Sequence, residues 1–348
     1  MRLFLSALVL AAFVVSACAE PAPHEADSDL TTAPAWATLS GQAPQVIAHR
    51  GASGIHPEHT VSAYRRGFED GADILEPDLM VSRDGVLIVR HDPYLSTSTN
   101  IADHHEFADR VAERNGRLDW WVSDFTAEEL GSLSARQVFA DRDQTRNDVD
   151  AVLTFDDFLD FVDVLETECG CTIAIEPEVK LPAEHAALGL DPLPLLLDIL
   201  DERGLNTAEA PIIVQSFNAD FLRQLDRASE VRLAMLYAGP DEPGYDADGL
   251  SLAEIAQFAD AVGPNKAVLF DTGGASSGYL ETAHALGLSV HAWTVRDDRA
   301  PVVGASVEAE LEALYRLGVD GVFTDHPATA VRVRRTMAEA SGLPLSEG

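Results

Sequence analysis

Two histidines and three carboxylic acids stand at or near the ends of predicted strands. His49 and His91 each close such a segment, and imidazoles that titrate near neutral pH can serve as general acid and general base. Glu76 and Asp78 are two positions apart, so on a strand their side chains point to the same face. With Glu178 they would form a hard-oxygen site suited to Ca²⁺ or Mg²⁺. These residue types predict a metal-assisted acid–base site.

Two cations and one aromatic residue extend this set. Arg50 and Lys180 follow the first histidine and the third carboxylate closely, and both side chains suit a phosphate, the guanidinium as a fork and the ammonium as a point charge. Trp293 lies either in the core or in the wall of a pocket, and its neighbour Thr294 at a strand end favours the wall. A lone histidine at a strand end is usually structural, but coincidence at successive strand ends favours a functional site.

Strands interleaved with helices predict a mostly parallel sheet. Candidate strands cover 46–49, 74–79, 86–91, 172–179, 212–216, 232–236, 267–270, 290–294 and 321–324, and helical spacing covers 60–71, 155–168, 193–203, 219–227, 252–261, 278–286 and 307–317. We predict an α/β fold, a TIM (β/α)₈ barrel whose C-terminal strand ends share one face. Such a barrel has eight parallel strands, its staves. Because nine candidates are predicted, one is misassigned or lies outside the barrel.

The barrel domain is predicted to span 45–348, with an insertion at about 93–150. The insertion is charged, carries Trp120-Trp121 and has one helical segment at 126–132. Such a long loop at one end of a barrel is expected to shape a substrate mouth. Within or beside it, polar surroundings predict solvated positions for His56, His104 and His105, and the acidic run 141–150 is predicted to be a solvated face or a helix cap.

The N-terminus has the pattern of an export signal. A basic start and a short apolar run precede Val15-Ser16-Ala17-Cys18, which resembles a bacterial lipobox. We expect a lipoprotein signal peptide at 1–17, lipidation of Cys18 and a flexible tether at 18–44; an ordinary signal peptide is the alternative. The protein would then be exported and lipid-anchored on the periplasmic side of the cell envelope, touching the membrane through the anchor alone.

Charge and cysteine content restrict the remaining classes. The chain has 58 acidic against 24 basic residues, a net charge of −34, which excludes nucleic acid as a partner. Three cysteines are too few for a disulfide scaffold. Cys169 and Cys171 either form a disulfide in an exported protein or remain two buried thiols, and the sequence leaves both open.

Taken together, the motifs resemble the glycerophosphodiester phosphodiesterase family, and most closely its bacterial periplasmic branch. The resemblance rests on His49-Arg50-Gly51, Pro57-Glu58-His59-Thr60, Glu76-x-Asp78, Asp84-Gly85, His91-Asp92, Pro177-Glu178-Val179-Lys180, Gln215-Ser216-Phe217, Trp293-Thr294-Val295 and Gly321-x-x-Thr324-Asp325-x-Pro327. It covers about residues 45–328. Ser82, where the family often has Thr, is one conservative departure.

The resemblance implies a barrel with an inserted subdomain and a divalent metal, with calcium expected and magnesium possible. It implies Glu76, Asp78 and Glu178 as metal ligands, His49 and His91 as the acid–base pair, and Arg50 and Lys180 as phosphate ligands, beside Trp293 in the substrate pocket. Glu176 ranks second to Glu178 as a ligand, because it precedes the matching motif by two positions.

The implied reaction is hydrolysis of small glycerophosphodiesters, such as glycerophosphocholine and glycerophosphoethanolamine, to sn-glycerol 3-phosphate and an alcohol. Two alternatives remain at this point. One is a lysophospholipase D-type enzyme that removes a lipid headgroup, and the other is a surface lipoprotein that binds without catalysis.

Overall fold

The computed structural model describes residues 35–240, 242 and 245–345. The predicted signal peptide at 1–17, Cys18 and the tether as far as residue 34 lie outside the described residues. The last part of the predicted tether belongs to the folded domain, because Trp36 is buried against Tyr315 and donates its indole hydrogen to the Pro344 carbonyl at 2.7 Å. Among the described residues, no helix is both long and apolar enough to cross a membrane.

The described chain contains short strands and short helices in alternation. The strands are β1 (Gln45–His49), β2 (Ile74–Glu76), β3 (Asp78–Val81), β4 (Leu87–Val89), β5 (Ala112–Arg114), β6 (Arg117–Asp119), β7 (Ala174–Ile175), β8 (Glu178–Val179), β9 (Ile213–Ser216), β10 (Arg232–Tyr237), β11 (Ala261–Pro264), β12 (Ser289–Val295) and β13 (Gly321–Thr324). The helices are α1 (Val61–Glu69), α2 (Ala127–Gly131), α3 (Phe155–Cys169), α4 (Pro182–Ala187), α5 (Pro192–Glu202), α6 (Ala219–Ala228), α7 (Leu252–Ile255), α8 (Tyr279–Ala285), α9 (Val307–Leu317) and α10 (Pro327–Ser341).

Parallel strands form the predicted TIM-barrel fold. β2 and β3 make one stave interrupted at Pro77, and β7 and β8 make another interrupted at Pro177, because proline has no amide hydrogen to donate. Parallel pairings run from β1 through these two staves to β9, then through β10, β11, β12 and β13 back to β1. The C-terminal ends of all these strands therefore lie on one face.

Two of the nine predicted strands are not staves. The segment predicted at 86–91 contains β4, which pairs antiparallel with β3 outside the parallel ring. The segment 267–270 is wrong as a strand, since Lys266–Leu269 is a 3₁₀ turn begun by the Asn265 side chain. The strand that completes the barrel here is β11. It begins at Ala261, the last residue of the segment predicted as helix, because α7 stops at Ile255.

Strand alternation divides the core into two layers. Inward positions such as Ile47, Ile74 and Phe323 pack inside the barrel, whereas the alternate positions Val46 and Ala48 pack against the surrounding helices. Helix starts are fixed by side-chain caps: Thr60 accepts from the Ala63 amide at the start of α1, and Thr154 forms a capping box at α3. These caps set where each loop on the site face ends.

The insertion has a small core of its own. Ile101, Phe107, Val122, Phe125 and Leu130 pack together with Met80 and Ile88 from β3 and β4. Trp120 packs against this core and donates its indole hydrogen to the Phe107 carbonyl, while Trp121 donates to the Ala112 carbonyl.

Three predictions about solvated or thiol positions are wrong in part. His56 is buried, with 8 % of its surface exposed, where the polar sequence around it predicted solvent. The run 141–150 contains Arg142, which is equally buried, although His105 is exposed as predicted. Cys169 and Cys171 are joined by a disulfide at an exposed turn, so the alternative of buried thiols is wrong.

Candidate active site

A cavity of about 660 Å³ opens where the staves end. The sequence-predicted residues His49, Arg50, Glu76, His91, Glu178, Lys180 and Trp293 all line it. Asp78 lies just behind, buried within the same carboxylate group. Strands far apart in sequence therefore bring the whole predicted set to one place.

The three carboxylates converge because of the barrel register. Glu76 and Asp78 flank Pro77, and β3 pairs with β8 so that Asp78 lies directly opposite Glu178. One oxygen from each of the three lies within 4.8 Å of the other two, and all three residues are buried. Buried carboxylates at this spacing repel one another unless a proton or a cation lies between them.

The pKa values report that repulsion. Burial, with Asp78 adding to it, raises the pKa of Glu76 well above its usual value. Burial raises the pKa of Glu178 to about 8, against the opposing pull of Lys180. Asp78 goes the other way: burial opposes its ionisation, but Arg50 and Lys180 hold its pKa well below the usual range.

The donor set fits a divalent ion. Asp78 Oδ1 and Gln215 Oε1 are buried without a hydrogen-bond partner among the described residues, and Lys180 Nζ stays 4.0 Å from the first of these. Carboxylate and amide oxygens are the ligands that Ca²⁺ and Mg²⁺ prefer. Glu76, Asp78 and Glu178 could therefore hold such an ion.

Arg50 is fixed beside the carboxylates by its own unusual backbone. It follows β1 with φ of 59°, and its amide donates to Glu76 Oε2 at 2.8 Å. Its guanidinium contacts Glu58 Oε2 at 2.8 Å and Asp78 Oδ2 at 3.1 Å. Lys180 Nζ lies 2.8 Å from Glu178 Oε1. Both cations face the cavity and leave donors for an anion.

His49 is oriented by a carboxylate that the sequence reasoning did not single out as a site residue. Its Nδ1 lies 2.7 Å from Oδ1 of Asp325, at the end of β13, so this nitrogen carries the hydrogen and Nε2 is free to accept a proton. Burial and Arg50 lower the pKa of His49 to about 4, although Asp325 opposes them. The imidazole is therefore neutral at neutral pH.

His91 has a parallel arrangement with a local partner. Its Nδ1 lies 2.8 Å from Asp92 Oδ1, and Thr97 donates its hydroxyl hydrogen to the other oxygen of that carboxylate at 2.8 Å. Burial, Arg50 and Lys180 lower the pKa of His91 to about 4. The cavity thus holds two neutral imidazoles, each backed by a carboxylate.

Several supporting residues were missed from the sequence. His59, with φ of 61°, links Asp78 to Tyr64 through hydrogen bonds of 2.9 Å at each ring nitrogen. The Pro-Glu-His-Thr motif was the available signal for His59 and for Glu58. Glu176, ranked second as a ligand, instead pairs with His291 at 2.9 Å inside the barrel.

Aromatic rings form the opposite wall of the cavity. Trp293 is held by its indole hydrogen bond to the Gly263 carbonyl at 2.6 Å. Phe217 meets both Trp293 and Tyr245 edge to face, with ring centres 5.8 Å and 4.8 Å apart. The insertion contributes Pro93 and Tyr94 to the lining, so the mouth is shaped by these two residues and not by its tryptophans.

Comparison with known proteins identifies the family that this chain matches. Residues 49–329 match the glycerophosphoryl diester phosphodiesterase family. A glycerophosphodiester phosphodiesterase of Haemophilus influenzae is 29 % identical over 326 residues, covering 82 % of this chain and 88 % of the relative.

Solved structures show the same fold. One assigned as a glycerophosphoryl diester phosphodiesterase, from Silicibacter pomeroyi, superposes with a TM-score of 0.68 at 22 % identity, covering 89 % of this chain and 100 % of the other. An Oleispira antarctica phosphodiesterase, solved with the product sn-glycerol-3-phosphate, gives 0.59 at 20 % identity, covering 85 % and 98 %. The family match spans both histidines, the three carboxylates and Asp325, and the chain belongs to the glycerophosphoryl diester phosphodiesterase family.

Proposed function

We propose that this protein hydrolyses glycerophosphodiesters, such as glycerophosphocholine and glycerophosphoethanolamine, to sn-glycerol 3-phosphate and an alcohol. The observation that carries the proposal is the pair of carboxylate-backed histidines facing one cavity with Arg50 and Lys180. General acid–base chemistry next to an anion site is what phosphodiester cleavage needs. The activity named for the Haemophilus influenzae relative agrees with it.

The residues of the chain divide the work as follows. Arg50 and Lys180 bind the phosphate and orient it, and the 2-hydroxyl of glycerol attacks phosphorus while one histidine accepts its proton at Nε2. The other histidine protonates the departing alcohol oxygen. Because both imidazoles are neutral at rest, the acid must gain its proton as the anionic substrate enters and raises its pKa. The cyclic phosphate is then hydrolysed with the two roles exchanged.

A divalent ion belongs in this proposal as the companion of the carboxylates. Glu76, Asp78 and Glu178 would hold it, with Ca²⁺ expected and Mg²⁺ possible, and when bound it supplies Lewis-acid stabilisation of charge on the phosphoryl oxygens. Support comes from the three converging buried carboxylates and from the unpaired Asp78 oxygen.

The aromatic wall supports a second candidate substrate. Phe217, Tyr245 and Trp293 give the cavity an apolar side, which an acyl chain or a methylated headgroup could contact. A lysophospholipase D-type reaction on lysophosphatidylcholine would use the same histidines and cations.

We also propose that the chain is an exported lipoprotein of the bacterial cell envelope, anchored through Cys18 on the periplasmic side. The support is the sequence alone, namely the lipobox-like Val15-Ser16-Ala17-Cys18. Labelling with a palmitate analogue, compared between the natural protein and Cys18→Ala, tests this. Equal labelling of both would contradict it.

The decisive experiment measures sn-glycerol 3-phosphate released from glycerophosphocholine by the purified protein. We expect turnover that EDTA abolishes and added Ca²⁺ or Mg²⁺ restores, and the more effective ion identifies the metal. Lysophosphatidylcholine in parallel separates the two substrate classes. Turnover that survives EDTA would overturn the metal requirement. No turnover of either substrate with any metal would contradict the proposed enzymatic activity and favour a lipoprotein that binds without catalysis.

A further inference from the structure

One arginine of the insertion reaches across to the barrel's site. Arg142 is buried, with 4 % of its side chain exposed, although the acidic residues around it predicted a solvated run. Its Nε lies 2.7 Å from Asp298 Oδ2, its Nη1 donates to the Ser53 carbonyl at 3.1 Å, and its Nη2 lies 2.6 Å from Asp325 Oδ2. The guanidinium therefore ends on the carboxylate that holds His49.

The segment around Arg142 is docked onto two barrel loops. Gln137 donates its side-chain amide to the carbonyls of Ser53 and His56, in the loop after β1, at 3.0 and 3.1 Å. Asp141 pairs with Arg299, in the loop after β12, at 2.9 Å. Residues 137–142, which we call the docking segment, thus span neighbouring loops beside the catalytic cavity.

Asp325 is held at both of its oxygens. Oδ1 takes the bond from His49, while Oδ2 accepts from Arg142 at 2.6 Å and from Arg296 at 2.7 Å. The two arginines differ in surroundings, because Arg296 lines the cavity with 28 % of its side chain exposed. Arg142 is the enclosed member of the pair and does not line the cavity.

We infer that Arg142 is a positioning residue: the insertion, through Arg142 and Asp325, fixes the ring of His49 so that Nε2 points to the reacting phosphate. The inference rests on the proposed function, because it assigns Arg142 a role through the proposed acid–base residue. Without Arg142, Oδ2 of Asp325 keeps only the more exposed Arg296, so the carboxylate is held less firmly and can turn away from Nδ1 of His49. A displaced proton-transfer group slows the chemical step more than it weakens substrate binding.

The test compares steady-state kinetics of Arg142→Gln and Arg142→Lys with Arg136→Gln as a matched control. Arg136 also makes two carboxylate pairs, with Asp103 and Asp148, but both partners lie inside the insertion. We expect kcat for glycerophosphocholine to fall by about tenfold to a hundredfold in Arg142→Gln with KM little changed. The lysine variant should recover part of kcat, since one ammonium can replace one contact. The control should match the natural protein.

A double-mutant comparison separates positioning from general loosening of the fold. If Arg142 acts through Asp325, then Arg142→Gln adds little to the loss already caused by Asp325→Asn. Should Arg142→Gln fail to fold, Asp298→Asn, which frees one side of the guanidinium, replaces it in the same comparison. Three results would overturn the inference: full kcat in folded Arg142→Gln, a rise in KM alone, or losses in kcat that multiply in the double mutant. In each case the activity of the natural protein would leave the proposed function standing.

Discussion

The two histidines of the cavity are held by carboxylates that differ greatly in their distance along the chain. Asp92 is the next residue after His91, so its bond forms wherever that turn forms. Asp325 lies 276 residues from His49, and its bond exists only once the barrel has closed. At the residue scale, one half of the acid–base pair is locally organised and the other depends on the complete fold.

The first residue-scale prediction concerns the histidines themselves. Replacing His49 or His91 by Ala should lower kcat/KM by about a hundredfold or more, because each removes one positioned proton-transfer group, while calcium affinity is unchanged. Isothermal titration of Ca²⁺ and turnover of glycerophosphocholine measure the two effects separately. His105→Ala, at an exposed position of the insertion, is the control and should retain full activity.

The pH profile of the natural protein provides an independent check on the same residues. Since the pKa of each histidine is lowered to about 4, the proton-accepting form persists well below neutral pH. We expect kcat/KM to rise as the pH falls from 7 to about 5, because the acid must take up a proton that the free enzyme does not hold, and to decline only below about 4, as the base also takes up a proton. A decline centred near 6.5, the value of an unburied histidine, would contradict the neutral, buried pair.

The staves and their connecting turns position these residues, and only part of this arrangement is predictable from the sequence. Alternating apolar positions and the strand-end polar residues predicted seven of the eight staves. The eighth, β11, was missed because Ala261-Val262-Gly263-Pro264 is short, has small residues and ends in proline. The carboxylate triad of Glu76, Asp78 and Glu178 was predictable from positions at the ends of two staves. The contact of Arg142 with Asp325, 183 residues apart, leaves no periodic signal.

The turn after β1 packs closely against helix α1 at Gly51. Gly51 has φ of +81°, and a Cβ there would lie 2.5 Å from the Ala63 carbonyl carbon in α1. Gly71 has a similar φ of +87°, but its Cβ would meet nothing nearer than 3.5 Å. Both alanine variants suffer the left-handed strain, about 1–2 kcal/mol, and the clash is specific to the first.

We therefore expect Gly51→Ala to lower the free energy of unfolding by about 2 kcal/mol more than Gly71→Ala does. It should also reduce kcat/KM, because relief of the clash moves the adjoining Arg50 and His49. Urea denaturation and turnover measure the two effects. Equal destabilisation by the two substitutions would show that α1 yields to the added methyl group, and that this helix does not fix the turn.

At the scale of the whole molecule, the chain carries a net charge of −34 and concentrates three carboxylates at one buried point. Excess negative charge attracts divalent cations to the surface and the cavity alike, and a buried like-charged cluster opposes folding unless a proton or a metal neutralises it. Global stability, metal content and pH are therefore linked through the triad.

This linkage gives a prediction with a definite sign. In the metal-free folded protein Glu178 keeps its proton up to a pKa of about 8, whereas in the unfolded chain it keeps it only to about 4.5. Folding therefore becomes less favourable as the pH rises through this window, by up to about 1.4 kcal/mol per unit. The histidines with lowered pKa values still lose protons in the unfolded chain near pH 6.5 and oppose this trend, but they do so equally in Glu178→Gln, so comparison of the two proteins isolates Glu178.

Between pH 6.5 and 7.5 in EDTA, urea denaturation should accordingly show that the natural protein loses about 1 kcal/mol more of its free energy of unfolding than Glu178→Gln does, because the variant has no proton to release at that position. Saturating Ca²⁺ should reverse the trend for the natural protein, because the ion replaces the protons and its binding strengthens as they leave. The glutamine variant should gain much less from Ca²⁺. Identical slopes and identical calcium responses in the two proteins would remove Glu178 from the proposed ligands, and would place the origin of any metal requirement outside the triad.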